Sequence, residues 1–554
     1  MENKLREAIA EVAGIRDAKL VELSYPEEAF GDFATNVALK SAREQGVNPT
    51  QLATKLSDAL KLKLGDWVEN VEVAGPGFIN IRLNVVALIE ASHAQPERSL
   101  VGKVIVAEFS DPNPFKILHA GHLYTSVVGD AIANLLEMAG AKVYRVNYGG
   151  DVGLHAAKAI WSMLQALGGE YPAKLNDINP EQRGEWMAQA YVRGSEAYET
   201  AEAAKNAIQA LNKKIYAIQA TMDKTSPLGQ IYWTTRQWSY DGFNVFYERI
   251  KVHFDRFYPE SEATPLGVLE VDKQLRRGIF EKSDGAVVFA GEKFGLHTRV
   301  FINSQGLPTY EAKELGLFQL KKRDYNPDRS LIITGNEQEQ YMAVVLKALE
   351  QFDPGLAAST THLSHGLVRL TGGKKMSSRK GVVLRATDIL DSAAEAAKEV
   401  SGKVDERIVL AAIKYAMLKQ RMGADLIFDP KESVSILGNS GPYIQYAHAR
   451  ARSILSKASA QKSTDINDLT GDERSLVVSL SRYAAVLNQA AAELSPHLLC
   501  TYLYETTQVF NRFYESNRVI GDPRESIRLG LVSMYADKLR DGLKLLGIEA
   551  PDHL

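Results

Sequence analysis

A multidomain α/β protein with a parallel sheet at its centre is the fold class this sequence predicts. Three observations carry it. The chain has 554 residues, and at roughly 100–200 residues per domain that suggests about three or four domains. An apolar run, Val104–Phe109, is followed by a loop, a long helical pattern to Met138 and a second strand-like run, Lys142–Asn147; strand, crossover helix and strand make a βαβ unit, which calls for parallel strands. After about residue 386 the apolar spacing is helical, as at Leu498, Tyr502, Val509 and Phe513, which fits the amphipathic helices of a bundle.

Taken in order, residues 1–90 alternate helical patterns with short strands around two turn-rich signals, Ala29–Phe33 and Ala74–Phe78. That reads as a small α+β domain. A polar stretch, Ser92–Ser99 with Pro96, reads as a linker. The α/β domain is expected over 100–385, with a mainly helical insertion at about 157–254 that is rich in Ala, Lys, Glu and Tyr. The sheet then resumes with a hairpin, Gly285–Ala290 with Thr298–Asn303. Helix Tyr310–Lys321, strand Leu331–Thr334, helix Glu337–Gln351 and strand His362–Leu370 follow. Beyond a Gly/Lys/Ser loop at 371–381, residues 386–554 read as a helical linker and an all-α bundle.

Composition excludes several classes. Hydrophobic residues make up 45% and charged residues 24%, the balance of a globular protein. No apolar run approaches the roughly 20 residues of a membrane span, and the amphipathic start MENKLREAIAEVAG lacks a signal-peptide core, so a cytoplasmic protein without membrane contact is expected. The single cysteine, Cys500, excludes an internal disulfide and a multi-thiolate zinc site, and no metal site is expected. The net charge of −3 gives no global pull toward nucleic acid. RNA binding then needs local cations, for which Lys374, Lys375, Arg379 and Lys380, the run Lys321–Lys322–Arg323, and Arg450, Arg452 and Lys457 are candidates. Any one such cluster is as readily plain solvated surface.

Two segments carry chemistry. Glu108–His122, EFSDPNPFKILHAGH, follows a strand and opens a helix, where α/β folds hold phosphates. His119 and His122, three apart, share a helix face, and Gly121 leaves room for a base or ribose. As metal ligands they lack a third donor at ligand spacing. Taken alone, the pair is better read as ordinary helix-cap residues. Neither a Walker-type GxxxxGK[ST] nor a GxGxxG after a strand is present. The second segment, Gly372–Gly381, joins four cations to Ser377 and Ser378 between glycines, which suits a pyrophosphate leaving group.

Together, HAGH after the first strand and KMSSR after the last resemble the HIGH and KMSKS elements of class I aminoacyl-tRNA synthetases. Across nearly the whole chain the similarity is to the arginyl-tRNA synthetases: GDFATNVA (Gly31–Ala38), VEVAGPGFINIRL (Val71–Leu83), NYGGDVG (Asn147–Gly153), GNSGPYIQYAHAR (Gly438–Arg450) and YLYETTQVFNRFYE (Tyr502–Glu515). The resemblance implies a class I Rossmann-like parallel-sheet catalytic domain, a small N-terminal domain at the tRNA elbow and a C-terminal anticodon-binding bundle. It implies arginine attachment to tRNA(Arg) through an arginyl-adenylate, with ATP and Mg²⁺, by a chain that acts as a monomer. Another class I synthetase, a HIGH-containing nucleotidylyltransferase and a non-enzymatic tRNA-binding paralogue are the competing readings.

The same resemblance assigns roles. His119, His122 and Lys375 are catalytic, and with Gly121, Met376, Ser377, Ser378, Arg379 and Lys380 they meet ATP. Glu108, Ser110, Asn113, Tyr310, Glu314 and Gln338 meet arginine, Glu314 standing where the family has Asp. A guanidinium offers five donors in a planar fork, and Tyr310 and Glu314, four apart, face one pocket. Ser378 stands where the family has its second lysine. Tyr443, Gln445, Tyr446 and Arg450 suit splayed anticodon bases, and Asp32 and Asn36 the elbow.

Overall fold

The computed structural model describes residues 2–26, 30–371, 384–459, 462 and 466–554. Two units divide the chain: Met1–Glu97 with Tyr443–Lys544 and Glu549–Leu554, and Arg98–Pro442 with Leu545–Ile548.

In the first unit, β1 (Phe33–Thr35), β2 (Val68–Ala74) and β3 (Phe78–Leu83) form an antiparallel sheet in the order β1-β3-β2. Helix Pro49–Leu64 starts where Asn48 accepts from the N–H groups of Thr50 and Gln51 with Pro49 at the first position, a cap and a preset φ acting together. The carboxyl-terminal part supplies long helices, among them Gly471–Ser481, Pro496–Ser516 and Glu525–Leu545. Phe510 and Tyr535 stack between the last two, centroids 3.8 Å apart. A buried ion pair joins the two ends of the chain within this unit. Arg474 reaches Asp32 at 2.7 Å and donates to the Leu83 carbonyl at 2.7 Å, while Asp32 also accepts from the Leu83 N–H.

The second unit is built on β4 (Val104–Glu108), β5 (Lys142–Gly149), β6 (Arg256–Pro259), β7 (Glu281–Ser283), β8 (Ala286–Phe289), β9 (Arg299–Ile302), β10 (Arg329–Gly335), β11 (Thr360–His365), β12 (Val368–Leu370) and β13 (Leu426–Phe428). Its main sheet is parallel throughout, in the order β11-β10-β4-β5-β6. From β4 the chain moves outward to β5 and β6, then returns to the other flank as β10 and β11. The crevice at the carboxyl ends of β4 and β10 is therefore the topological switch point where such sheets bind ligands. The expected hairpin is present as β8 and β9, with β7 added at its edge.

Two strand expectations change. β6 was not expected, being four residues without alternation, and the expected strand His362–Leu370 is two. β11 stays in the main sheet, while β12 leaves it to pair in parallel with β13. The break falls at Gly366, where a Cβ would lie 2.3 Å from the Ala424 backbone, so only glycine permits the crossing. Between β5 and β6 run the helices Leu154–Leu167, Arg183–Thr200, Glu202–Thr221 and Pro227–Ile250, packed around Ala156, Ile160, Met163, Ile208 and Tyr232.

Helices Glu260–Arg276 and Tyr310–Tyr325 cross almost backbone to backbone. A Cβ on Gly267 would stand 1.9 Å from the Ala312 carbonyl oxygen, and one on Gly316 2.0 Å from that of Ala263. This crossing sets the distance between the first residue of one helix, Glu260, and the fourth of the other, Lys313.

Candidate active site

Beyond β4 the loop runs through three non-glycine residues in the left-handed region, Ser110 (φ 76°), Asp111 (φ 51°) and Phe115 (φ 67°). Such strain persists only where the surroundings hold it, and here they do. Asp111 accepts from Tyr148 N–H at 2.8 Å, Asn113 Oδ1 from Gly150 N–H at 2.7 Å, and Ser239 Oγ from Phe115 N–H at 3.0 Å. Ser110 Oγ is 2.8 Å from the Tyr247 hydroxyl. Asn113 therefore spends its oxygen on the scaffold and keeps its amide donors.

His119 is the N-cap of helix Ala120–Met138 and His122 its third residue, the two locked in a reciprocal cap. His119 Nδ1 accepts from Gly121 N–H at 3.1 Å, and His122 Nδ1 accepts from His119 N–H at 3.0 Å. The rings stack 3.7 Å apart at 30°. Burial, aided by Lys116, lowers His119 to about 4, and burial with His119 beside it lowers His122 well below its usual value. Both rings are neutral at physiological pH. Since each Nδ1 accepts, each proton sits on Nε2. The cap role and a donor role are thus not rivals: one nitrogen of each ring caps and the other is left to donate.

The helix start itself offers little else to an anion. Ala120 N–H is donated to the Leu384 carbonyl and His122 N–H to that of His119. Gly121 is not an open space either, since a Cβ there would meet the His119 ring at 2.9 Å; the glycine admits the imidazole.

Charges gather behind the loop. Glu108 pairs with Lys321 and Glu260 with Lys313, each at 2.6 Å and each buried. Lys321, expected as basic surface, is interior. Glu108 keeps only Oε1 for a ligand. Glu314 is buried, and among the described residues its Oε2 has no hydrogen-bond partner. Burial and the neighbouring Glu108 raise its carboxyl to about 8; Asp111 is raised by burial and by Glu108. An orphan acceptor amid an excess of carboxyls is the electrostatic state of a pocket suited to a cation. Tyr310 is half exposed, its hydroxyl 3.3 Å from His155 Nδ1. Gln338, half-buried, lies in the single turn after β10.

Family models match end to end: arginyl tRNA synthetase N terminal domain over 1–83, tRNA synthetases class I (R), catalytic domain over 85–429, and DALR anticodon binding domain over 444–554. The chain belongs to the arginyl-tRNA synthetase family. An arginine–tRNA ligase of Treponema pallidum is 30% identical, the match covering 97% of this chain and 95% of that protein. One of Porphyromonas gingivalis is 29% identical over 91% and 92% of the two. The solved arginyl-tRNA synthetase of Thermus thermophilus superposes with a TM-score of 0.81 at 26% identity over all of both chains.

In this arginyl-tRNA synthetase fold, Lys375, Met376, Ser377, Ser378, Arg379 and Lys380 lie outside the described residues. The flanks of their segment are placed. Thr371 donates to the Phe428 carbonyl, and Leu384–Ala386 bonds to Leu118 and Ala120 beside the histidines. Two tRNA-contact expectations are corrected. Asp32 is buried and taken by Arg474, so it is a scaffold charge. Gln445 is fully buried and donates to the Glu549 carbonyl, so it fastens the chain end. Asn36 donates to Glu22, and Tyr443 accepts from Asn511. Tyr446 and Arg450 remain at a cleft of about 360 Å³, with Lys457, Tyr514 and His553; the Arg450 guanidinium lies over both tyrosine rings, at 4.9 and 5.7 Å.

Sequence reasoning passed over His155, Glu260 and Lys313. His155 stood two residues past the quoted NYGGDVG run, and Lys313 beside Glu314. Glu260 followed an unrecognised strand and gave no local signal.

Proposed function

We propose a division of labour for the reaction this family performs and this chain catalyses, the ATP-dependent attachment of arginine to tRNA. The arginine carboxylate attacks the α-phosphorus of ATP, giving arginyl-adenylate and pyrophosphate; a ribose hydroxyl of the terminal adenosine of tRNA then takes the arginyl group and AMP leaves. His119 and His122 donate Nε2–H to phosphate oxygens, and being neutral and fixed they act as oriented donors that gain strength as charge develops. Met376 meets the nucleotide, and Gly121 serves the same site by admitting the His119 imidazole. Lys375, aided by Ser377, Ser378, Arg379 and Lys380, holds the leaving pyrophosphate, with Arg379 or Lys380 replacing the lysine that Ser378 displaces.

Glu314 takes the guanidinium, supported by Tyr310, while Asn113, Gln338, Glu108 and Ser110 orient the amino and carboxylate ends. What supports this is the unpartnered buried oxygen of Glu314. Mg²⁺ arrives on the nucleotide: it favours phosphate oxygens and retained waters over an all-protein cage, and among the described residues no three His, Cys, Asp or Glu side chains gather as ligands. Tyr446, Arg450 and Tyr443 meet anticodon bases by stacking and amide or cationic contacts, and Asn36 the elbow. No described helix is long and apolar enough to cross a membrane; the cytoplasm and a monomeric state are the reading that the family resemblance implies.

The observation that carries the reading is the pinned pair of neutral imidazoles at the switch point. Charging of total tRNA with radiolabelled arginine, ATP and Mg²⁺ tests it against His122→Asn. Arginine-specific charging that collapses in the variant supports it; undiminished charging assigns the phosphate elsewhere. Arginine-dependent pyrophosphate exchange is expected only with tRNA bound, and robust exchange without tRNA overturns that point.

A further inference from the structure

His155, the second residue of helix Leu154–Leu167, is buried behind Tyr310. Its Nε2 is 2.6 Å from the Gly150 carbonyl oxygen and its Nδ1 is 3.3 Å from the Tyr310 hydroxyl. A carbonyl only accepts, so Nε2 carries the proton. In a neutral ring Nδ1 is then a lone pair, and the hydrogen between it and Tyr310 must come from the tyrosine. Burial, with Lys116 nearby, lowers His155 to about 3, which keeps the ring neutral at any working pH. The arrangement is crowded around Gly150, where a Cβ would meet Asn113 Oδ1 at 2.5 Å, Glu260 Oε1 at 2.9 Å and His155 Cε1 at 3.0 Å. The 2.6 Å bond from Nε2–H to the Gly150 carbonyl holds the ring in this orientation.

We propose that His155 is a positioning residue that captures the hydroxyl proton of Tyr310, so that the tyrosine oxygen meets the substrate side chain as an acceptor only and the pocket selects a donor-only guanidinium over its ureido isostere. The inference rests on Tyr310 contacting the arginine side chain. A phenol that is free to rotate serves a carbonyl as well as an N–H. With its proton held by His155 it presents lone pairs alone, which suits the five donors of a guanidinium. Citrulline, of the same shape but with a carbonyl oxygen for one nitrogen, then brings an acceptor to acceptors, and an unpaired buried polar group is what rejects a near-isostere most strongly.

The test uses the full chain with tRNA, measuring the arginine KM and the Ki of citrulline as a competitive inhibitor. His155→Leu is expected to lower the ratio of citrulline Ki to arginine KM by about tenfold, the effect of one hydrogen bond of changed sense. His155→Asn, whose Oδ1 stands near the position of Nδ1, is expected to restore most of the ratio, which guards against a fold defect in the leucine variant. In a Tyr310→Phe background, His155→Leu is expected to change the ratio by less than about twofold, since coupled residues are not additive. An unchanged ratio in His155→Leu, an asparagine variant that behaves like the leucine one, or an undiminished effect in the Tyr310→Phe background overturns the inference while leaving Tyr310 at the substrate. An arginine KM unmoved by Tyr310→Phe overturns both.

Discussion

Glu314 is buried against Glu108, with Lys321 only partly offsetting, and its carboxyl stands at about 8. In the contact we propose, a guanidinium placed on it favours the ionised form, and arginine binding is then expected to expel a proton wherever the free enzyme carries Glu314 protonated. Below about pH 8 that is the majority form. The expected outcome is that kcat/KM for arginine rises with pH, by up to tenfold per unit, and levels off above about 8. Glu314→Gln should flatten the rise; a profile unchanged in that variant would assign the ionisation to another group. At His122 the two roles separate by substitution. His122→Asn keeps an oxygen to accept from His119 N–H and loses the Nε2 donor, so adenylate formation should fall by about 10²–10³ with the thermal midpoint nearly unmoved. His122→Ala should lose about 1 kcal/mol of stability as well. Spacing put both histidines on one helix face, and the family resemblance gave them a role. The tautomer was not legible, because it depends on which backbone N–H each Nδ1 meets.

The elements that hold this pocket are the crossed helices Glu260–Arg276 and Tyr310–Tyr325. Gly267→Ala puts a methyl 1.9 Å from a backbone oxygen, which no rotamer relieves, so the helices must part. The expected cost is about 1–3 kcal/mol in urea unfolding, together with a raised arginine KM, because Lys313 and Glu314 ride on the displaced helix. Normal KM with normal stability would mean that the crossing does not set the pocket. The long helices, β4, β5, β10 and the β8–β9 hairpin were legible as periodic patterns. β6 was not, since four residues between helices carry no period, and neither was the parting of β11 from β12, which Gly366 makes possible only because residue 424 passes beside it.

At the scale of the molecule, the first unit takes residues from both ends of the chain, and Asp32 with Arg474 is the buried charge pair between those stretches. Asp32→Asn leaves the buried Arg474 guanidinium with only the exposed Glu69 carboxylate, 3.6 Å away, as counter-charge and should lower stability by up to about 3 kcal/mol, read as a fall in the denaturant midpoint. The tRNA KM of the folded protein should not move; an unchanged midpoint with a raised tRNA KM would return Asp32 to the surface. The sequence by itself determined the α/β class, the helical character of the carboxyl-terminal part and the family, because periodicity and the motifs of short segments are local properties. Only the tertiary structure decided which charges are spent inside. Lys321 with Glu108, Lys313 with Glu260, and Arg474 with Asp32 lie 213, 53 and 442 residues apart, and a pairing across such separations leaves no mark on the spacing of either partner.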